Sequence, residues 1–117
     1  MNSRNKGKAG EREFAGICRD NGYAVRRTAQ YAGKTEDAAD VVGLPGIHIE
    51  VKRVERLVLD DAMDQAVRDH KVDRLPVVAH RRNRGRWLIT MRAEDWFTIY
   101  REWEAGRCPA RDEGRTP

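Results

Sequence analysis

Little in this chain offers a staple, an anchor or a ready-made cofactor site. Its 117 residues include two cysteines, Cys18 and Cys108, far apart and without the paired spacing of metal ligands. A disulfide framework and a zinc site therefore drop out. No apolar run approaches the roughly 18 residues that a membrane span requires, and the basic N-terminus leads into no signal-type apolar segment. There is no internal repeat and no glycine-rich phosphate loop. Aromatics make up 7% of the chain, yet Trp96, Phe97, Tyr100 and Trp103 crowd one short stretch. What remains is a single soluble domain of cytoplasmic type, long enough to bury about two thirds of its unfolded surface without cross-links.

Charge is plentiful by contrast. Twenty-three Lys and Arg against 19 Asp and Glu give a net charge of +4 and a pI near 9.4. The distribution says more than the sum. Arg4, Lys6 and Lys8 lead in, Arg26 and Arg27 sit together, and Arg81, Arg82, Arg84 and Arg86 fall within six residues. Such clusters are the footprint of phosphate contacts, or else of a solvated basic surface.

Periodicity supplies the elements. Residues 1–9 read as a flexible basic arm, residues 10–106 as one domain and residues 107–117 as a disordered tail. From Gly10 to about Asn21, Phe14, Ala15, Ile17 and Cys18 form an apolar stripe at helical spacing, with Gly22 placed to end it. Glu11 falls within that stripe and Glu13 on its edge. A strand is expected over 23–28 and a loop over 29–39, in which Tyr31 either stacks on a base or covers core. A second helix runs from Leu57 to about His70, with Met63 in the core. Strands follow at 75–81 and 86–91, joined by an arginine-rich turn that can reach across a groove. A last helix spans 93–105, its aromatic face either covering the sheet or forming a dimer interface. The order is helix, strand, strand, strand, helix, strand, strand, helix: a mixed α/β domain with one sheet covered by helices.

The segment Asp40-Val-Val-Gly-Leu-Pro-Gly-Ile-His-Ile-Glu-Val-Lys52 carries the chemistry. On a strand, His48, Glu50 and Lys52 share one face and Ile47, Ile49 and Val51 the other. A wet edge strand explains Glu50 and Lys52 as surface pairing; a buried one makes them a site. The turn decides whether Asp40 joins them. If only Pro45 and Gly46 form the loop, Asp40 falls opposite Val51, on the apolar face. If Leu44 belongs to the loop, or a bulge has the same effect, Asp40 stands opposite Glu50. The second arrangement is expected. Asp40 and Glu50, with Glu11 as a third carboxylate, are hard oxygen ligands suited to Mg²⁺ or Mn²⁺ and hence to a phosphate substrate. Lys52 supplies the positive charge for an attacking water or the transition state. His48 shares their face with no partner that the sequence names.

Asp40 followed by Glu50-Val51-Lys52 resembles the PD-(D/E)xK nuclease signature, and Lys6 to Met91 is similar to archaeal-type and phage-encoded Holliday junction resolvases. Lys6-Gly7-Lys8-Ala9-Gly10-Glu11-Arg12-Glu13 matches their basic lead and acidic triplet. Tyr23-Ala24-Val25-Arg26-Arg27-Thr28-Ala29 matches the strand that ends in a DNA-contacting arginine. Ala39 stands where the signature has Pro, and the interval from Asp40 to Glu50 is short. The resemblance implies a restriction-endonuclease-like sheet of about five strands flanked by helices, and a Mg²⁺-dependent homodimer cutting branched DNA in a bacterial, archaeal or phage-infected cell. It implies catalytic Glu11, Asp40, Glu50 and Lys52, the three acids being metal ligands. DNA contacts are expected from Lys6, Lys8, Arg12, Arg27, Lys34, Arg81, Arg82 and Arg84. A nuclease for flaps, nicks or duplex sites, and a non-cleaving DNA-binding module, are the alternatives.

Overall fold

The computed structural model describes residues 3–31, 34–35 and 37–107. In chain order the elements are α1 (Ser3–Asp20), β1 (Arg26–Arg27), β2 (Gln30–Tyr31), β3 (Lys34–Thr35), β4 (Val41–Val42), β5 (Ile47–Arg53), α2 (Leu59–Asp69), β6 (Leu75–Arg81), β7 (Leu88–Met91) and α3 (Ala93–Ala105). Five strands form one mixed sheet in the order β1-β4-β5-β6-β7, while β2 and β3 pair separately. β5 runs antiparallel to β4 and parallel to β6. The parallel pair needs a crossover, and α2 supplies it. The wet-edge reading of Glu50 and Lys52 thus fails, because β5 is the middle strand.

Alternation along the strands divides the core between two layers. Phe14, Ala15 and Cys18 of α1 pack on Ile49, Val51, Val77 and Ala79, together with Val25 and Val41. On the opposite face Ala62 and Ala66 of α2 pack on Val78, with Leu57 and Met63 beside them. Small residues on α2 let it lie close to the sheet, and burying a set of this kind contributes about 25 cal/mol per Å² removed from water.

Several boundaries differ from the sequence expectation. The first helix begins at Ser3, so residues 3–9 continue α1 and are not a separate arm. Its polar first turns carry no apolar stripe, which is why periodicity missed them. It ends where expected: Gly22 has φ of +96°, and Tyr23 N–H reaches back to the Cys18 carbonyl, a left-handed helix stop. The strand expected over 23–28 is regular only at Arg26–Arg27, and the expected loop contains the short β2–β3 ladder. The side chains of Tyr31, Lys34 and Lys6, and the residues after Arg107, lie outside the described part. α3 does not cover the sheet: Trp96, Phe97, Ile99 and Trp103 are all exposed. No described helix is long and apolar enough to cross a membrane.

Candidate active site

The β4–β5 turn sets the register. The Leu44 carbonyl accepts from Ile47 N–H at 3.1 Å, and Gly46 has φ of +87°, so Pro45-Gly46 is a tight turn closed by Leu44 and Ile47. Continued without interruption, that closure would put Asp40 opposite Val51. Val41 instead faces Ile49. The one-residue slip falls at Gly43, whose φ of +127° suits glycine alone. A Cβ there would run into the Ala24 carbonyl oxygen. The expected bulge is present, and it brings Asp40 level with Glu50.

Asp40 then grips β5 on both sides of Glu50. Its N–H donates to the Ile49 carbonyl at 3.0 Å, and its Oδ2 accepts from Val51 N–H at 2.8 Å. The side chain of Asp40 thereby takes a ladder bond that a strand residue would otherwise have made. Burial pushes the Asp40 carboxyl up to about 7, and the charges of Glu50 and then Glu11 push the same way, as does a hydrogen bond shared with Glu50; the Val51 N–H pulls it down. Two carboxyls that share a proton are a coupled pair. The same repulsion would be relieved by a divalent cation, so the donor set fits one.

Glu50 and His48 are each 1% exposed, and His48 Nε2 lies 2.8 Å from Glu50 Oε1. The face that carries charge is thus as buried as the apolar one. His48, which had no expected partner, has one. Lys52, two residues along on the same face, donates from Nζ to Gln65 Oε1 of α2 at 3.1 Å.

Glu11 reaches the group from α1, on the other layer. That helix approaches the end of β5 so closely that a Cβ on Gly10 would stand 2.8 Å from Arg53 Cβ. Glu11 Oε1 accepts from Arg27 Nε at 2.9 Å, so it stands beside the pair while held by an arginine. Among the described residues no three or more His, Cys, Asp or Glu side chains converge as a finished metal cage. Mg²⁺ commonly takes only one or two carboxylates, with water and substrate phosphate completing its shell.

The basic residues expected to contact DNA are placed unevenly. Arg12 is exposed and Lys8 half-buried. Arg27 is engaged by Glu11, and Arg81 by Glu13. Glu13 also accepts from Trp87 Nε1 at 2.8 Å and faces Arg53 at 3.4 Å, which makes it a clasp between α1 and the sheet. Arg82 and Arg84 are exposed. With Arg81, Arg86 and His80 they line a cleft of about 460 Å³ beyond the ends of β5 and β6.

Sequence reasoning missed Gln65 and the structural part of Glu13. Gln65 lies three residues after Ala62 and one before Ala66, at the border of the apolar stripe of α2, where a polar residue is a signal. Glu13 stood at the edge of the α1 stripe, a signal of the same kind, but its three partners lie 40 or more residues away along the chain and could not be named.

A family model described as "Phage putative PDDEXK endonuclease" matches residues 2–110. No curated protein and no solved structure matches the chain.

Proposed function

The chain belongs to this family of phage PDDEXK endonucleases, and from that premise we propose that it is a Mg²⁺-dependent, structure-selective DNA endonuclease whose preferred substrate is the four-way junction. Its five-stranded mixed sheet and three helices are restriction-endonuclease-like. The observation that carries the reading is the pairing of Asp40 and Glu50 through a register slip, with Lys52 on the same strand. Asp40 and Glu50 would hold the cation, with Glu11 beside them. When bound, the ion polarises the phosphodiester, lowers the pKa of a water and steadies the leaving oxygen.

Other roles fall to the chain itself. Lys52, steadied by Gln65, orients the attacking water or offsets charge that develops on the phosphate oxygens. Burial of Glu50 keeps bulk water from screening that charge. The arginines of the cleft and of α1 hold the DNA backbone by phosphate contacts, which position without reading sequence. Paired incision of a junction calls for two copies of the site, hence a homodimer, acting in the cytoplasm of an infected host cell.

The test is cleavage of a synthetic four-way junction with and without Mg²⁺, alongside Glu50→Gln. Symmetric incision that needs Mg²⁺ and vanishes in the variant is expected. Preference for flaps, nicks or duplex would replace the junction reading, and tight binding with no turnover in Mg²⁺ or Mn²⁺ would replace the enzyme reading.

A further inference from the structure

One buried side chain next to the acids has no part in the chemistry described so far. His48 is 1% exposed, as is Glu50 two residues along the same strand. Its register partner on β6 is Pro76, which is also fully buried. Side chains this far from bulk water find their hydrogen-bond partners within the fold or forfeit them. His48 Nε2 and Glu50 Oε1 find each other at 2.8 Å. Glu50 also shares a hydrogen bond with Asp40. The Glu50 carboxylate is thus engaged twice, along its own strand by His48 and across the β4–β5 ladder by Asp40.

Packing alone does not call for a histidine at this position. Val78, the register partner of Glu50, packs on Ala62 and Ala66 of α2, and an apolar residue at 48 would extend that layer. Replacing a buried polar pair by apolar residues of similar volume is often neutral or stabilising. The imidazole therefore needs a reason beyond stability.

We propose that His48 is a positioning residue, which by donating Nε2–H to Glu50 Oε1 fixes the orientation of that carboxylate for a divalent cation; the role rests on the reading of Glu50 as a cation ligand. The direction of the bond follows from the ligand. An ionised carboxylate only accepts, so Nε2 carries the hydrogen. The last torsion of a glutamate is broad, and one bond from a ring anchored on the same strand removes that freedom. The anchor is firm, because β5 pairs with β6 along its whole length from Ile47 to Arg53. Glu11 shows the contrast. Its partner is the Arg27 guanidinium, a permanent cation that offsets the charge of the acid it holds. An imidazole makes its bond while neutral, and so orients Glu50 without cancelling the negative charge that draws a metal ion. Partners of this kind behind a ligand typically change metal affinity by about 10–100-fold.

Mn²⁺ titration calorimetry on the protein without DNA tests this. The wild type is expected to bind, and Glu50→Gln to lose that binding. His48→Met and His48→Gln have nearly the same shape and differ in the donor. Affinity is expected to fall about tenfold or more in His48→Met and to recover in part in His48→Gln. A purely structural histidine would change the urea midpoint and leave the Mn²⁺ affinity of the folded protein as it was. A folded His48→Met that loses less than about tenfold, or a His48→Gln no tighter than His48→Met, overturns the role of His48. No binding by the wild type, or binding unchanged in Glu50→Gln, overturns the cation reading itself, so the two failures are separable. Should His48→Met not fold, the wild type decides: the His48 Nε2–H proton observed by NMR must shift as Mg²⁺ saturates the site, and constancy overturns the inference.

Discussion

Asp40 is the residue on which opposing demands meet. Its backbone and side chain fasten it to β5, while burial and two neighbouring carboxylates raise its titration from 3.8 to about 7. A raised folded value means that the fold holds the proton more tightly than the unfolded chain does. The stabilisation is fully present below 3.8 and is lost as pH rises through about 7, on the order of 4 kcal/mol in all. Metal-free protein is therefore expected to lose stability between pH 5 and pH 8. Asp40→Asn, which mimics the protonated acid, should show a flatter profile and be the more stable form at pH 8, as urea denaturation at the two pH values would reveal. Added Mg²⁺ should raise the melting temperature of the wild type more at pH 8 than at pH 5. The same variant is expected to bind branched DNA while cleaving none. Lys52→Ala should lower the cleavage rate by about 10²–10³-fold, the usual weight of one preorganised donor, with junction binding retained in a gel-shift assay.

At the scale of the element, the β4–β5 turn matters most. A regular two-residue loop would have sent Asp40 to the apolar face, and Gly43 prevents this by taking up one residue at positive φ. Gly43→Ala meets both the strained conformation and the Ala24 carbonyl. It should destabilise the fold by about 1–3 kcal/mol in urea denaturation and abolish cleavage, because relief of the strain returns the strand to the regular register. Pro45 and Gly46 announced the turn in the sequence, and a slip was expected there without a residue to carry it. What could not be read there was the Ala24 backbone pressing on Gly43, an approach made across the sheet from the lead-in to β1. The helices show the same limit. Stripes at 3.6-residue spacing located α2 and α3 closely, whereas the first turns of α1, polar all round, carried no such mark.

At the scale of the whole molecule, charge is laid out by face. Arg82, Arg84 and Arg86 gather at the cleft beyond the ends of β5 and β6, whereas the acids of α3 lie on a separate helix. Replacing the three arginines by alanine is expected to weaken DNA binding across all sequences. It should also make the dependence of log K on log salt shallower, by up to about 0.9 for each phosphate that is no longer neutralised, as measured by fluorescence anisotropy in graded KCl.

The sequence by itself determined the mixed α/β class, the strand carrying Glu50 and Lys52, the inward face of Glu11 and the basic hairpin, because each is written in short-range periodicity and residue chemistry. Only the tertiary structure decided that β5 is the middle strand with both faces buried. It also gave Glu50 to His48, Lys52 to Gln65 and Glu11 to Arg27, and left Trp96, Phe97, Ile99 and Trp103 of α3 exposed among the described residues. These are outcomes of packing between segments distant in the chain, or of hydrogen bonds that become obligatory only once water is gone, and no local pattern encodes either.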